Sequence, residues 1–134
     1  MCFGETSYYT APIKALVSEK SLIWWSCSAA TTWHDHGDVH INTEAPVICC
    51  TEEILANQAL REGPDALVHS VAMDEFHFFS DTDRGWAWQV PLLTLPKTQF
   101  LLMSATLGDV TQIADLLRRQ TTRDVSNVTD APRP

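Results

Sequence analysis

Two adjacent acids and a histidine, Asp74, Glu75 and His77, follow a short apolar run from Ala66 to Met73. Turn-forming residues bound this run on both sides, which is typical of a buried parallel strand. In open α/β sheets the chemistry lies just beyond the carboxyl ends of the strands, where these three residues fall. One acid could hold Mg²⁺ through its water shell, and the other could orient or deprotonate an attacking water. The short pattern D-E-x-H is equally consistent with a strand that ends in solvated acids.

A second apolar run, Phe100 to Met103, ends in Ser104, Ala105 and Thr106, about one strand–helix unit downstream, as a βαβ repeat requires. Strands that end in D-E-x-H and in S-A-T, with a helix between them, resemble motifs II and III of the superfamily-two helicases. Longer strings resemble in particular the bacterial DExH-box RNA helicases related to the superkiller and exosome-associated helicases. These strings are Met73–Phe78, Arg84–Pro91 and Leu101–Asp109.

The resemblance extends to segments that face the nucleic-acid backbone in that family. Tyr9–Leu16 resembles motif Ia, Gly37–Asp38 resembles the Gly-Asp motif, and Thr51–Leu55 resembles motif Ib. Helix N-terminal amides and a nearby lysine suit a phosphate group. Without the resemblance, Tyr9–Leu16 is better explained as an ordinary connection between a strand and a helix, and Thr51–Leu55 is explained equally well as one. The implied nucleic-acid contacts are Pro12, Ile13, Lys14, Ala15, Gly37, Asp38, Thr51 and Glu52.

The function that the resemblance implies is ATP-dependent RNA unwinding. Asp74 would hold Mg²⁺ through water, Glu75 would orient the water that attacks ATP, and His77 would complete the catalytic group. Ser104, Ala105 and Thr106 would couple the nucleotide state to the path of RNA or another single-stranded nucleic acid.

No G-x-x-x-x-G-K-[ST] phosphate loop occurs in the 134 residues. Helicase chemistry needs that loop around the β- and γ-phosphates, and arginines on the transition-state charge. We therefore expect a poor ATPase or none from this chain alone, with the missing helicase parts possible on another chain.

The expected fold is α/β: a three-layer RecA-like domain of the phosphate-loop NTPase type, with a mostly parallel sheet and an incomplete N-terminal side. Residues 1–120 would form this partial domain, and 121–134 a polar linker or tail. The predicted strands are Glu5–Ala11 and Ala45–Cys50, and a loop is predicted over Phe78–Asp83. Helices are predicted over Ile13–Lys20, from the Thr51 cap to the Gly63–Pro64 stop, over Arg84–Leu95, and from a cap at Asp109. Pro91 is expected to interrupt the helix over Arg84–Leu95, and the tryptophans of that helix are expected in the core.

The composition of the chain limits how it could bind nucleic acid and in which compartment it is expected. The net charge of −8 argues against a basic surface that binds nucleic acid without regard to sequence, so contacts in a formed cleft are expected instead. No apolar run is long enough to span a bilayer, and the four cysteines show no disulfide framework. Adjacent Cys49 and Cys50 are predicted to be buried thiols. These features favour a cytoplasmic chain.

The segment 21–36 does not fit this scheme, because Trp24, Trp25 and Trp33 occur there without helical or strand periodicity. The resemblance is lost there and resumes at Gly37. We hypothesise that this segment derives from a shifted reading frame, which the nucleotide sequence would test.

Two other classes of function stay open. The first is a non-catalytic module that binds RNA or a helicase partner. The second is a small metal-binding protein that uses His34, His36 and His40, although their spacing matches no common zinc pattern.

Overall fold

The computed structural model of the chain describes residues 6–12, 31–33, 47–106 and 108–128. Within these ranges the strands are β1 (Ser7–Thr10), β2 (Thr31–Trp33), β3 (Val47–Cys50), β4 (Ser70–Met73) and β5 (Gln99–Leu102). They form one sheet in the order β2-β3-β1-β4-β5, and every neighbouring pair is parallel. The predicted α/β class with a mostly parallel sheet is confirmed.

β1 lies at the centre of the sheet. Its last residue, Thr10, pairs with Cys50 on one side and with Met73 on the other. Because the strands are parallel, their carboxyl ends lie along one edge of the sheet. That edge is where a ligand site is expected in an α/β fold, and it is where the acids after β4 lie.

The α-helices in the described ranges are α1 (Glu52–Glu62), α2 (Trp86–Thr94) and α3 (Thr111–Thr121). Two acids in the first turn and Arg61 in the last turn of α1 match the helix dipole. Gly63 ends α1 with a φ of 69°, which only glycine adopts at little cost. This confirms the predicted stop. Thr51 occupies the N-cap position as predicted, but its hydroxyl makes no capping hydrogen bond.

Three predictions about local structure were wrong. The stretch predicted as a loop begins inside a short 3₁₀ helix, Phe76–Ser80, because Phe76 is buried and stacks on Phe79 at 5.1 Å between ring centroids. α2 continues through buried Pro91, since burial of that helix outweighs the one lost N–H donor. The last helix begins at Thr111, with Val110 rather than Asp109 at its N-cap position, and Oδ1 of Asp109 accepts the N–H of Thr111 at 2.9 Å from one residue before the cap.

The main core lies between the sheet and the helices. Leu55 of α1, Met73 of β4 and Trp88 of α2 are fully buried there. Trp88 confirms the prediction that tryptophans of this helix are core residues, whereas Trp86 is 42% exposed and corrects it. None of the helices in the described part of the chain is long and apolar enough to cross a membrane.

The opposite face of the sheet carries a smaller apolar cluster. Tyr9, Ala11 and Cys49 are buried in it, with Ala72 and Met103 packed alongside. The thiols of Cys49 and its neighbour Cys50 are free and buried, as predicted, and burial raises the pKa of both. The predicted helix over residues 13–20 lies outside the described residues.

Candidate active site

Asp74 is the first residue after β4, and both of its carboxylate oxygens accept a hydrogen bond. The Tyr9 hydroxyl donates to Oδ2 at 2.5 Å, and the N–H of Glu75 donates to Oδ1 at 2.9 Å. The N–H of Asp74 donates to the carbonyl of Thr10 at 2.9 Å, which extends the β1–β4 ladder by one residue. The carboxylate is therefore held at the carboxyl edge of the sheet.

Glu75 has a left-handed backbone, with φ 51° and ψ 42°. For a residue other than glycine this conformation costs on the order of 1 kcal/mol, and such outliers cluster at functional sites. It turns the chain sharply after Asp74 and leaves the Glu75 side chain 38% exposed. Nδ1 of His77 lies 3.2 Å from Oε2 of Glu75, but the contact lacks hydrogen-bond geometry. The two side chains are thus adjacent, and Glu75 is accessible to a ligand.

Backbone hydrogen bonds around Met103 join the turn after β4 to the segment after β5. The N–H of Met103 donates to the carbonyl of Met73, and its own carbonyl accepts the N–H of Phe76, both at 2.9 Å. Ser104 follows at once and is half-buried, with its Oγ accepting the N–H of Thr106 at 3.3 Å. The two patterns D-E-x-H and S-A-T therefore lie side by side at one edge of the sheet.

The residues at this edge suit Mg²⁺. Asp74 and Glu75 offer hard carboxylate oxygens, the donors that Mg²⁺ prefers. A carboxylate can accept about four hydrogen bonds, and the described residues make two to Asp74, which leaves lone pairs for metal-bound water. Within the described ranges, no group of three or more His, Cys, Asp or Glu side chains could hold a metal ion. Proteins commonly bind Mg²⁺ at open sites of this kind, where water and phosphate oxygens complete its coordination.

Glu52 was predicted to contact nucleic acid, and its burial corrects that prediction. Its side chain is fully buried at the start of α1, and among the described residues neither carboxylate oxygen has a hydrogen-bond partner. Burial is the largest influence on this carboxyl and raises its pKa to about 8. Glu52 is therefore largely neutral at pH 7 and cannot touch a ligand on the surface.

The other predicted nucleic-acid contacts are only partly described. Thr51 is half-buried. Pro12 is buried, and its carbonyl accepts a hydrogen bond from the side chain of Arg84, just before α2. Their contacts with nucleic acid stay predictions. The remaining predicted residues lie outside the described residues: Ile13, Lys14, Ala15, Gly37 and Asp38, together with the alternative metal ligands His34, His36 and His40.

Sequence reasoning missed Arg84, which ties three segments together beside the site. Its Nη2 donates to Oε1 of Glu53 at 3.0 Å and to the carbonyl of Pro12 at 3.1 Å. Its guanidinium lies 5.9 Å from the ring centroid of Phe78 and 6.0 Å from that of Trp88. Burial pushes the pKa of Glu53 upward, but hydrogen bonds from Arg84, from its own backbone N–H and from Thr51, together with the Arg84 charge, hold that pKa below its usual value. This role of Arg84 depends on contacts with residues far away in the sequence, so the residues around it in the chain do not reveal it.

We expect Arg84→Gln to lower the free energy of unfolding by about 1–2 kcal/mol, because it removes two hydrogen bonds and the contact with the aromatic rings. The control is Arg61→Gln, which removes only a surface ion pair with Glu62 at an arginine that is 76% exposed. That change should cost less than about 0.5 kcal/mol. Urea unfolding measures both variants, and equal losses would contradict the structural role of Arg84.

A comparison with profiles of known protein families finds no match. Individual curated proteins do match. The chain is 33% identical over 135 residues to the antiviral helicase SKI2 of Saccharomyces cerevisiae, and 33% identical over 139 residues to the probable helicase HelY of Mycobacterium tuberculosis. It is 32% identical over 129 residues to the DExH-box ATP-dependent RNA helicase DExH11 of Arabidopsis thaliana. The chain belongs to the superfamily-two DExH-box helicases.

These alignments cover most of this chain but little of its relatives. They include 94% of the chain and 10% of SKI2, 98% of the chain and 15% of HelY, and 94% of the chain and 9% of DExH11. The chain thus spans a small part of the length of the curated relatives it matches.

The fold agrees with this assignment. The structure is similar to the helicase domain of Hef from Pyrococcus furiosus, with a TM-score of 0.64 over 90% of this chain and 28% of that chain. Their sequences are only 13% identical, so this likeness supports the RecA-like α/β fold alone.

Proposed function

We propose that this chain contributes the acidic turn of an ATP-dependent RNA helicase, and that ATP is hydrolysed with Mg²⁺ at Asp74 and Glu75. The observation that carries the proposal is the arrangement at the carboxyl edge of the sheet. There a carboxylate anchored on two sides precedes an accessible glutamate in a strained turn, next to the segment that carries Ser104. The relationship to DExH-box helicases supports this reading.

Each residue of the site has a task in the proposal. Asp74 accepts hydrogen bonds from water bound to Mg²⁺, and Glu75 orients the water that attacks the γ-phosphate. Mg²⁺, when bound, neutralises the charge that develops on the phosphates. His77 lies against Glu75 and limits the positions that its carboxylate can take. Ser104, Ala105 and Thr106 sense the nucleotide through the backbone link at Met103 and relay its state to the RNA path.

The proposal requires helicase parts besides this chain. The 134 residues hold no phosphate-loop sequence, so we propose that the isolated chain hydrolyses ATP poorly or not at all. The remaining parts, on the same polypeptide or on another, would grip the nucleotide. ATP and RNA then act as partners in the cytoplasm.

A chimera tests the proposal. In it, this chain replaces the matching segment of HelY, and ATP hydrolysis is measured with and without single-stranded RNA. We expect RNA-stimulated turnover from the chimera and a loss of at least about 100-fold with Glu75→Gln, because orientation of the attacking water is lost. The control is Asp83→Asn, an exposed carboxylate on the adjacent loop. A folded chimera whose turnover is unaffected by Glu75→Gln would refute the assignment.

The lack of a phosphate-loop sequence also favours a second candidate, a module that binds RNA or a helicase partner without turnover. A gel-shift of the isolated chain with single-stranded RNA separates the two. RNA binding that is indifferent to ATP, together with an inactive chimera, would favour the module.

A further inference from the structure

Tyr9 is a buried polar side chain to which the proposed chemistry assigns no role. It lies on the central strand β1 and is only 7% exposed. Its hydroxyl donates a hydrogen bond to Oδ2 of Asp74 at 2.5 Å, across 65 residues of sequence. A tyrosine of this kind could have satisfied its hydroxyl on a backbone carbonyl, yet here it meets the carboxylate assigned to Mg²⁺.

The sheet register explains how Tyr9 reaches that carboxylate. Tyr9 pairs with Ala72 on β4, and side chains two residues apart on a strand share a face. Asp74, two residues beyond Ala72, therefore lies on the same face as the Tyr9 ring. Ala72 carries only a methyl group, which leaves room for the ring to lean toward the carboxyl edge. Ala11 and Cys49 pack in the same buried cluster, so the ring is confined.

The two hydrogen bonds to Asp74 differ in kind. The donor to Oδ1 is the N–H of Glu75, the next residue, which moves with the strained turn. The donor to Oδ2 belongs to a different strand at the centre of the sheet and has a ring that packing holds in place. Of the two, only the Tyr9 contact ties the carboxylate to the rigid part of the fold.

We propose that Tyr9 is a positioning residue, whose hydroxyl fixes the Asp74 carboxylate in the orientation that meets water bound to a divalent cation. This inference rests on the proposed function, since it assumes that Asp74 faces the metal. Groups that orient a metal-binding carboxylate commonly change metal affinity by about 10- to 100-fold when they are removed.

The test compares Tyr9→Phe with Tyr8→Phe in the full 134-residue chain. Tyr8 is a matched control: it is the neighbouring residue on β1, it is 6% exposed, and its hydroxyl donates to Oε1 of Gln58 at 2.9 Å on the opposite face. Two readouts are taken. Three-bond NMR couplings to the side-chain carboxyl carbon of Asp74 report its χ1 rotamer in the absence of metal. The electron paramagnetic resonance spectrum of free Mn²⁺ reports how much of this divalent cation is bound.

We expect a single Asp74 rotamer in the unmodified chain and in Tyr8→Phe, and averaging between rotamers in Tyr9→Phe. We also expect Mn²⁺ to bind at least about tenfold more weakly to Tyr9→Phe alone. A single unchanged rotamer in Tyr9→Phe would overturn the inference. If Tyr9→Phe does not fold, the unmodified chain still decides: several Asp74 rotamers there would overturn it.

The two readouts keep this inference separate from the proposed function. If the unmodified chain binds no Mn²⁺ while Tyr9→Phe releases the Asp74 rotamer, the positioning role is supported and the metal site in the isolated chain is refuted. If Mn²⁺ binds equally to all three chains, Asp74 keeps its metal role and the role of Tyr9 is refuted.

Discussion

Glu52→Gln will remove most of the loss of stability that this chain suffers as the pH rises from 5 to 8.5. Burial raises the folded-state pKa of Glu52 to about 8, against 4.5 for the free side chain. The folded state therefore holds the proton more tightly than the unfolded state. This contribution to stability is complete below about pH 4.5 and is lost as the pH rises through about 8. Its size is on the order of 5 kcal/mol, because each pKa unit corresponds to about 1.4 kcal/mol.

The neighbouring Glu53 provides the control, because its pKa is shifted in the opposite direction. Burial raises that pKa, but hydrogen bonds from Arg84, its own backbone N–H and Thr51 together lower it, so its contribution is present near neutral pH and is lost in acid. Glu53→Gln should therefore destabilise the chain at pH 7 and leave the slope between pH 5 and 8.5 intact. Urea unfolding at several pH values measures both variants. An unchanged slope in Glu52→Gln would show that Glu52 is solvated or paired when the chain is folded.

Gly85→Ala will destabilise the chain by roughly 3 kcal/mol, a large effect for one added methyl group. A Cβ at this position would lie 2.5 Å from the carbonyl oxygens of both Phe79 and Asp81. Both obstacles are backbone atoms, and the N–H of Gly85 donates to the same Asp81 carbonyl at 3.0 Å. The clash can therefore be relieved only if the turn before α2 moves. The backbone φ of −56° is ordinary, so the effect is steric.

Gly108→Ala is the matched control for this change. A Cβ at Gly108 would meet no atom within 4 Å, and its φ lies outside the left-handed range. The same substitution should change the free energy of unfolding by less than about 0.5 kcal/mol there. Thermal and urea unfolding compare the two variants. Equal stabilities would mean that the turn at Gly85 opens more easily than its two close carbonyls indicate.

The strand and helix pattern around the acids was predictable because it is local. The apolar run that ends at Met73 and the glycine–proline stop at Gly63 specify β4 and the end of α1 from adjacent residues. The 3₁₀ helix after Glu75 was not predictable, because it depends on the stacking of Phe76 and Phe79 and on burial beneath α2. Continuation of α2 through Pro91 likewise depends on packing that the sequence does not display.

The features of the candidate site likewise divide into those that local sequence predicts and those that depend on the whole fold. Asp74 and Glu75 were found from their position at a strand end, which needs no knowledge of strand order. The partnership of Tyr9 with Asp74 needs β1 to lie beside β4, and strand order is a property of the whole sheet. Glu52 was misplaced because acids in a first helical turn are ordinarily exposed, and nothing in the local sequence reveals its burial.

The central place of β1 also governs how this sheet can come together. β1 is the earliest described strand along the chain, yet its partners β3 and β4 follow much later, and Ser7 meets Ser70 across 63 residues. Closing such long loops costs chain entropy before any contact between strands offsets it, which makes parallel sheets of this kind slow to fold. During synthesis β1 therefore has neither of these partners until β3 has left the ribosome, and it lacks β4 until the acidic turn has followed. The pairing that places Asp74 at the carboxyl edge therefore forms only after both β3 and β4 are available.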